Sequence, residues 1–216
     1  MTQASAALAA EGGARDAPPG ATVVPLSDRV LLERHLRGDR EAFAELMRTY
    51  ANSVLGYLAR CGVPASERED LFQEVFCKVH RALSRGLPDG AVRPWLFAIT
   101  VNTARDSFRK AKVRSVVRLE DGAGEDTADD AREPGPDHAA EARETASFLE
   151  AEVAKLPLDQ REALVLCSVE GMSLEEAAAA LDAPVNTVKT RVRRARMALA
   201  EAMRRRGIVA EREQGR

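Results

Sequence analysis

Aromatic side chains are scarce in this chain, 4% of its 216 residues, and cysteines number only three. Cys61, Cys77 and Cys167 are odd in number and far apart, with no Cys-x-x-Cys pair, and the three histidines stand alone. Neither a disulfide framework nor a zinc site is expected; reduced, partly buried thiols are. Long apolar runs are missing too, and the N-terminus lacks the basic start and apolar core of an export signal. The expected location is cytoplasmic, without membrane insertion. Charge of one sign does not dominate, since 32 Lys and Arg face 34 Asp and Glu for a formal net charge of −2. That balance excludes a uniformly basic nucleic-acid coat. What remains is 45% hydrophobic and rich in Ala, Leu, Arg and Glu, with short β-branched runs. These residues favour helix, so the expected fold is all-α.

The near-neutral total hides a segregated pattern. Residues 105–118 hold six basic side chains against one acid, Asp106, and residues 185–206 hold eight against one, Glu201. Between them, residues 120–141 carry nine acids and a single Arg132. Two polyanion-binding surfaces joined by a spacer would look like this, and so would two solvated basic helix faces. Charge alone does not separate the readings.

Pattern and punctuation divide the chain. Residues 1–27, with eight Ala, three Gly and three Pro and no apolar period, predict a disordered extension. A first helical domain is predicted over 28–115. Asp28 and Asp39 are placed to cap helices. Phe43, Leu46, Met47, Tyr50, Val54, Leu58 and Cys61 then recur at spacings of three and four, a buried face. Gly62 and Pro64 stop that helix, and Ser66 with Glu69 reads as a capping box for the next. After the loop from Gly86 to Gly90, a fourth helix tolerates Pro94 in its first turn and turns Trp95, Leu96, Ile99 and Phe108 inward. A flexible acidic linker is predicted over 116–144, a second helical domain over 145–208 and a flexible tail over 209–216. In the second domain Pro157 ends a helix and Asp159 is placed to cap the following one. Ser173 and Glu176 form another capping box.

The strongest local signal lies between Ser173 and Arg196. A short helix with small residues, the tight turn Asp182-Ala183-Pro184 and a second amphipathic helix make a helix-turn-helix, in a winged-helix-like or four-helix setting. Val185, Val188, Val192, Ala195 and Leu199 can pack inward. Asn186, Thr187, Lys189, Thr190, Arg193 and Arg194 then face out, with side chains suited to base edges and phosphates in a major groove. The alternative is a helical hairpin with a solvated basic face. The runs Leu156-Pro157, Arg161-Glu162-Ala163-Leu164-Val165-Leu166, Glu170-Gly171-Met172-Ser173-Leu174-Glu175-Glu176-Ala177 and Pro184-Val185-Asn186-Thr187-Val188-Lys189-Thr190-Arg191 resemble region 4 of extracytoplasmic-function (ECF) sigma factors. The resemblance implies a module that reads the −35 promoter element, with Lys189, Thr190, Arg193 and Arg194 facing DNA. Two departures stand out: Asp182 and Asn186 occupy positions where the family favours Gly. Asp and Asn tolerate left-handed backbone best among the other residues, so the fold is expected to persist.

In the first domain Asp70, Gln73 and Glu74 share the helix face opposite the apolar stripe, at offsets of three and four. Asn102, Arg105, Arg109 and Lys110 form a mostly basic face on the fourth helix, where Asp106 is expected to pair with a nearby Arg. Either set alone reads equally as a solvated face. The runs Glu69-Asp70-Leu71-Phe72-Gln73-Glu74-Val75-Phe76 and Pro94-Trp95-Leu96-Phe97-Ala98-Ile99 are similar to region 2 of the same family. That similarity implies that Asp70, Gln73 and Glu74 dock on the β′ clamp of core RNA polymerase, with the second domain near the β flap. It also implies that Asn102, Arg105, Arg109, Lys110 and the loop Arg85–Val92 hold the opened −10 element. Trp95 sits on the apolar stripe and is expected in the core.

Two other function classes compete. A stand-alone helix-turn-helix regulator explains Ser173 to Arg196 equally well but leaves the Asp70/Gln73/Glu74 face without a purpose. A metal-dependent nuclease would need a convergent set of ligands, and no catalytic residue, metal cluster or cofactor site emerges. The resemblance implies a non-enzymatic alternative sigma factor without a cofactor, whose partners are core RNA polymerase, promoter DNA and an anti-sigma factor.

Overall fold

The computed structural model describes residues 27–120 and 139–208. All of the expected 1–27 extension but Ser27, the middle of the expected linker and the tail from 209 lie outside them. Among the described residues the regular elements are all helices, without strands: α1 (Asp28–Leu36), α2 (Arg40–Arg60), α3 (Ala65–Leu83), α4 (Val92–Glu120), α5 (Ala139–Lys155), α6 (Leu158–Leu164), α7 (Leu174–Leu181) and α8 (Val185–Arg205). A π-helical turn, Val165–Val169, extends α6. None of these helices is long and apolar enough to cross a membrane.

Helices α1–α4 pack around Leu46, Val54, Leu58, Val75, Phe76, Val79, Leu96 and Phe97, all buried. All but Phe97 are positions the three-and-four spacing marks. Phe97 is fully buried, whereas of the inward set expected on α4 only Leu96 is fully buried and Ile99 and Phe108 are partly so. Trp95 is half-buried against that core. Helices α5–α8 form the second domain, a four-helix arrangement without a wing among the described residues. Ala177, Ala178 and Ala180 are buried, and such small side chains let α7 lie close against both α4 and α8. Leu156, Leu164 and Ala195 close a smaller cluster with Val153 and Leu199.

Local hydrogen bonding sets the helix starts, and it corrects several expectations. Asp39 caps α2 as expected, accepting from the backbone N–H groups of Glu41 and Ala42 at 3.0 and 3.2 Å. Ser173 and Glu176 form the full capping box of α7. Asp28 does not cap α1: Ser27 holds that position, and the Asp28 carboxylate accepts from the Tyr50 hydroxyl. Ser66 and Glu69 form no capping box, because Pro64 is the residue that starts α3, with ψ 144° and no N–H of its own. Asp159 is displaced in the same way by Pro157 at the start of α6 and pairs instead with Arg191 at 3.1 Å. Val185 is 37% exposed and does not pack inward with Val188 and Val192.

The largest difference concerns the domains themselves. The sequence reading gives two helical domains joined by a flexible linker and no contact between them; here α4 lies against α7. Residues of both domains, from Leu31 to Val192, belong to one continuous buried cluster.

Candidate nucleic-acid interface

Three polar faces carry the residues singled out in the sequence. On α8, Val188, Val192 and Ala195 are buried, so helical spacing turns Asn186, Lys189, Thr190, Arg193 and Arg194 to solvent, with Thr187 half-exposed at the edge. The turn that aims this helix rests on Asp182, the one non-glycine residue with positive φ among the described residues (φ 50°, ψ 54°). Its short polar side chain makes the left-handed conformation tolerable. The basic residues of α8 divide by role. Arg191 is tied to Asp159, and Arg196 donates to the Ser168 hydroxyl at 3.1 Å. Lys189, Arg193 and Arg194 have no ion pair among the described residues, so their charge is available to a ligand. Such a convex, uncompensated basic face on the second helix of a helix-turn-helix suits a major groove.

The α4 face is less open. Asn102, Arg109 and Lys110 are exposed, and Arg109 pairs with Asp106 one turn away. The Asp106 carboxyl is held below its ordinary range by the Arg109 guanidinium, with Lys78 assisting. Arg105 points across the domain boundary. Its Nε and Nη2 donate to the two carboxylate oxygens of Glu162 at 3.0 and 2.7 Å. Glu162 is 1% exposed, and this bidentate partner holds the Arg105 guanidinium charged.

On α3, Asp70 and Gln73 are exposed, while Glu74 pairs with Lys78 at 2.9 Å. Lys78 also donates to the Thr103 hydroxyl at 3.1 Å and lies 3.6 Å from Asp106. The α3 and α4 faces therefore join into one surface. The 85–92 loop is fastened to α1 by Arg29, which donates to the Pro88 carbonyl at 3.3 Å.

Sequence reading missed a polar layer between the domains. Besides Arg105–Glu162, Arg93 donates to the Glu170 carbonyl and lies 3.3 Å from its carboxylate. Arg161 reaches the Cys61 carbonyl at 2.9 Å and the Leu156 carbonyl at the same distance. Burial pushes the neighbouring Cys61 thiol up to about 12, so it stays protonated. One signal was available: Glu162 sits one turn before Leu166, inside an apolar stripe, where a carboxylate demands a buried cation.

The comparisons with known proteins divide along the same lines. The family model for Sigma-70 region 2 matches residues 46–114, and that for Sigma-70, region 4 matches residues 149–199. The RNA polymerase sigma-H factor of Pseudomonas aeruginosa is 35% identical over 182 residues, covering 82% of this chain and 93% of the relative. The ECF RNA polymerase sigma-E factor of Escherichia coli K12 is 34% identical over 178 residues, covering 81% and 93%. Among solved structures, CnrH in complex with the cytosolic domain of CnrY matches at 30% identity and TM-score 0.59, over 82% of this chain and 97% of that one. The sigma factor RpoE in complex with the anti-sigma factor NepR from Bartonella quintana matches at 25% identity and TM-score 0.60, over 75% and 96%. With both regions matched in order, and relatives covered over nearly their whole length, the chain belongs to the extracytoplasmic-function sigma factors of RNA polymerase.

Proposed function

We propose that this sigma factor docks on the β′ clamp of core polymerase through Asp70, Gln73 and Glu74. Asn102, Arg105, Arg109 and Lys110 hold the opened −10 element, and Asn186, Thr187, Lys189, Thr190, Arg193 and Arg194 read the −35 duplex near the β flap. The single observation that carries the reading is the uncompensated charge of Lys189, Arg193 and Arg194 on a correctly turned second helix, in the same chain as an acidic face on α3. Phosphate contacts by such a face provide affinity, and the neighbouring Asn and Thr side chains provide base discrimination. At −10, strand separation costs a few kcal/mol per base step, which capture of an extruded base and neutralisation of its backbone offset.

The functional boundaries are 28–115 for the first domain and 145–208 for the second, joined by the acidic 116–144 segment. The protein is not an enzyme and needs no cofactor, because the polymerase performs the chemistry, and it acts in the cytoplasm. An anti-sigma factor controls it; the complex of Bartonella quintana RpoE with NepR supports this. Run-off transcription by core polymerase plus this protein on a genomic fragment library tests the whole reading. Discrete promoter-dependent transcripts are expected. A footprint on duplex DNA without polymerase, and no transcripts with it, would favour a stand-alone regulator instead.

A further inference from the structure

We propose that the end of the first domain where α1, α2 and α3 meet is a further nucleic-acid surface. It holds the single DNA strand that leaves the −10 element on the side away from −35. The inference rests on the assignment of the first domain to the −10 element.

Packing gathers this end from three helix termini. His35, in the last turn of α1, and His80, in the last turn of α3, share a hydrogen bond between Nε2 and Nδ1 at 3.0 Å. Phe43, near the start of α2, lies against both rings, with centroids 4.6 and 5.7 Å away. The chain around these rings carries Arg37, Arg40, Arg81 and Arg85, all exposed and without an ion pair among the described residues. The acids beside them are already engaged. Asp39 accepts from Nε and Nη2 of Arg34 at 2.9 and 2.7 Å, and Glu41 pairs with Arg48 at 2.8 Å.

This much positive charge exceeds what the helix ends themselves ask for. Each helix C-terminus carries about half a negative charge, so the ends of α1 and α3 balance about one of the four arginines. The exposed Asp89 in the following loop offsets another. An excess of about two positive charges remains, which suits a polyanion.

The aromatic ring among the cations indicates which polyanion. Surfaces for single-stranded nucleic acid combine cations for the backbone with side-chain rings on which bases stack. His80 is exposed, and its ring is held by His35 and by Phe43, which meets it edge-on at 70°. The Nδ1 atom of His35 is buried without a hydrogen-bond partner. A proton there would strand a buried N–H, so the proton sits on Nε2 and His35 donates to His80 Nδ1. The His80 ring is thereby fixed before any ligand arrives, and a platform ordered in advance loses little entropy on binding.

Location selects the strand. Arg85 opens the loop to which the family resemblance gives the −10 element, so the surface continues from that element. DNA towards −35 is the duplex read by α8. The unpaired strand therefore lies on the other side of −10.

The test uses holoenzyme reconstituted from core polymerase and the full chain, with two promoter fragments. Both carry a duplex −35 and an unpaired −10 strand, which either stops at the end of −10 or runs on for about ten nucleotides. Each phosphate contact on a single strand contributes about 0.7 to the slope of log affinity against log salt. R37A/R40A/R81A should therefore lose about two units of slope on the extended fragment and none on the short one. H80A is expected to weaken retention of the extended fragment about tenfold at unchanged slope, and H80F to restore it. Equal slope losses on both fragments would overturn the proposal, as would an H80F no better than H80A. Should the triple variant fail to fold, R40C carrying a photoreactive maleimide in a C77S/C167S background decides; Cys61 is buried and stays unlabelled. Crosslinks to the run-on strand support this surface, and crosslinks to polymerase alone refute it. Wild-type holoenzyme that retains neither fragment would overturn the −10 assignment together with this surface. Retention of both fragments, with no effect of any variant, would overturn this surface alone.

Discussion

Removing the three free cations of the recognition helix, as K189A/R193A/R194A, should change how promoter binding responds to salt. Each phosphate neutralised by a cation contributes about 0.9 to the slope of log affinity against log salt. A fourfold rise in salt therefore weakens binding by about 3.5-fold per contact, and three contacts amount to roughly 40-fold. The three side chains are exposed and have no ion pair among the described residues, while Val188, Val192 and Ala195 carry the packing of α8. Their loss should leave the fold intact, and Ala is the better helix former. The assay is retention of promoter fragments by reconstituted holoenzyme over a salt series, with unfolding of each protein followed alongside. The variant is expected to bind more weakly and to lose about three units of slope. If one of the three reads a base, the slope falls by about two and discrimination at one position drops by about 1–3 kcal/mol. Parallel salt slopes for wild type and variant would refute the assignment of this face to DNA.

Other expectations follow from single features. D70A/Q73A alters two exposed side chains, so it should weaken holoenzyme formation while leaving the unfolding temperature within about 2 °C, corresponding to the ±0.5 kcal/mol typical of surface changes. Asp182 has φ 50°; D182G should be neutral or stabilising, and D182A should cost about 1 kcal/mol, measured by urea unfolding. The Asp39 carboxyl is held below its ordinary range, first by the Arg34 side chain and then by the backbone N–H of Ala42. A depressed folded value means that the stabilisation is present above the unfolded value, about 3.9, and is lost as pH falls through the folded one. The stability advantage of wild type over D39N should accordingly shrink below pH 4, followed by thermal unfolding at a series of pH values.

Periodicity made much of the fold legible, because helices bury a stripe. The spacing of Leu46, Val54 and Leu58, or of Val188, Val192 and Ala195, is itself the instruction to pack. The bounds of α7 and the Ser173–Glu176 box follow from chemistry confined to a few residues. Helix starts beside Pro64 and Pro157 were misread because Ser66 and Asp159 are good caps in isolation, while proline already supplies the extended entry a residue or two earlier. The π-helical turn at Val165–Val169 has no local signature. The docking of α4 on α7 was least legible of all, since it depends on pairs such as Arg105 and Glu162, 57 positions apart in the chain. Those two residues were visible separately, one as a DNA contact and the other as part of a motif. Only the structure brings them together.

The central claim is that both domains serve one enzyme. Its most direct measurement is association of the purified full chain with core RNA polymerase lacking its own specificity subunit, followed by co-elution in size-exclusion chromatography. A stoichiometric complex is expected, and D70A/Q73A should weaken it. A chain that elutes apart from core polymerase at every concentration tried would contradict the account and leave α8 as a reader of duplex DNA with no polymerase behind it.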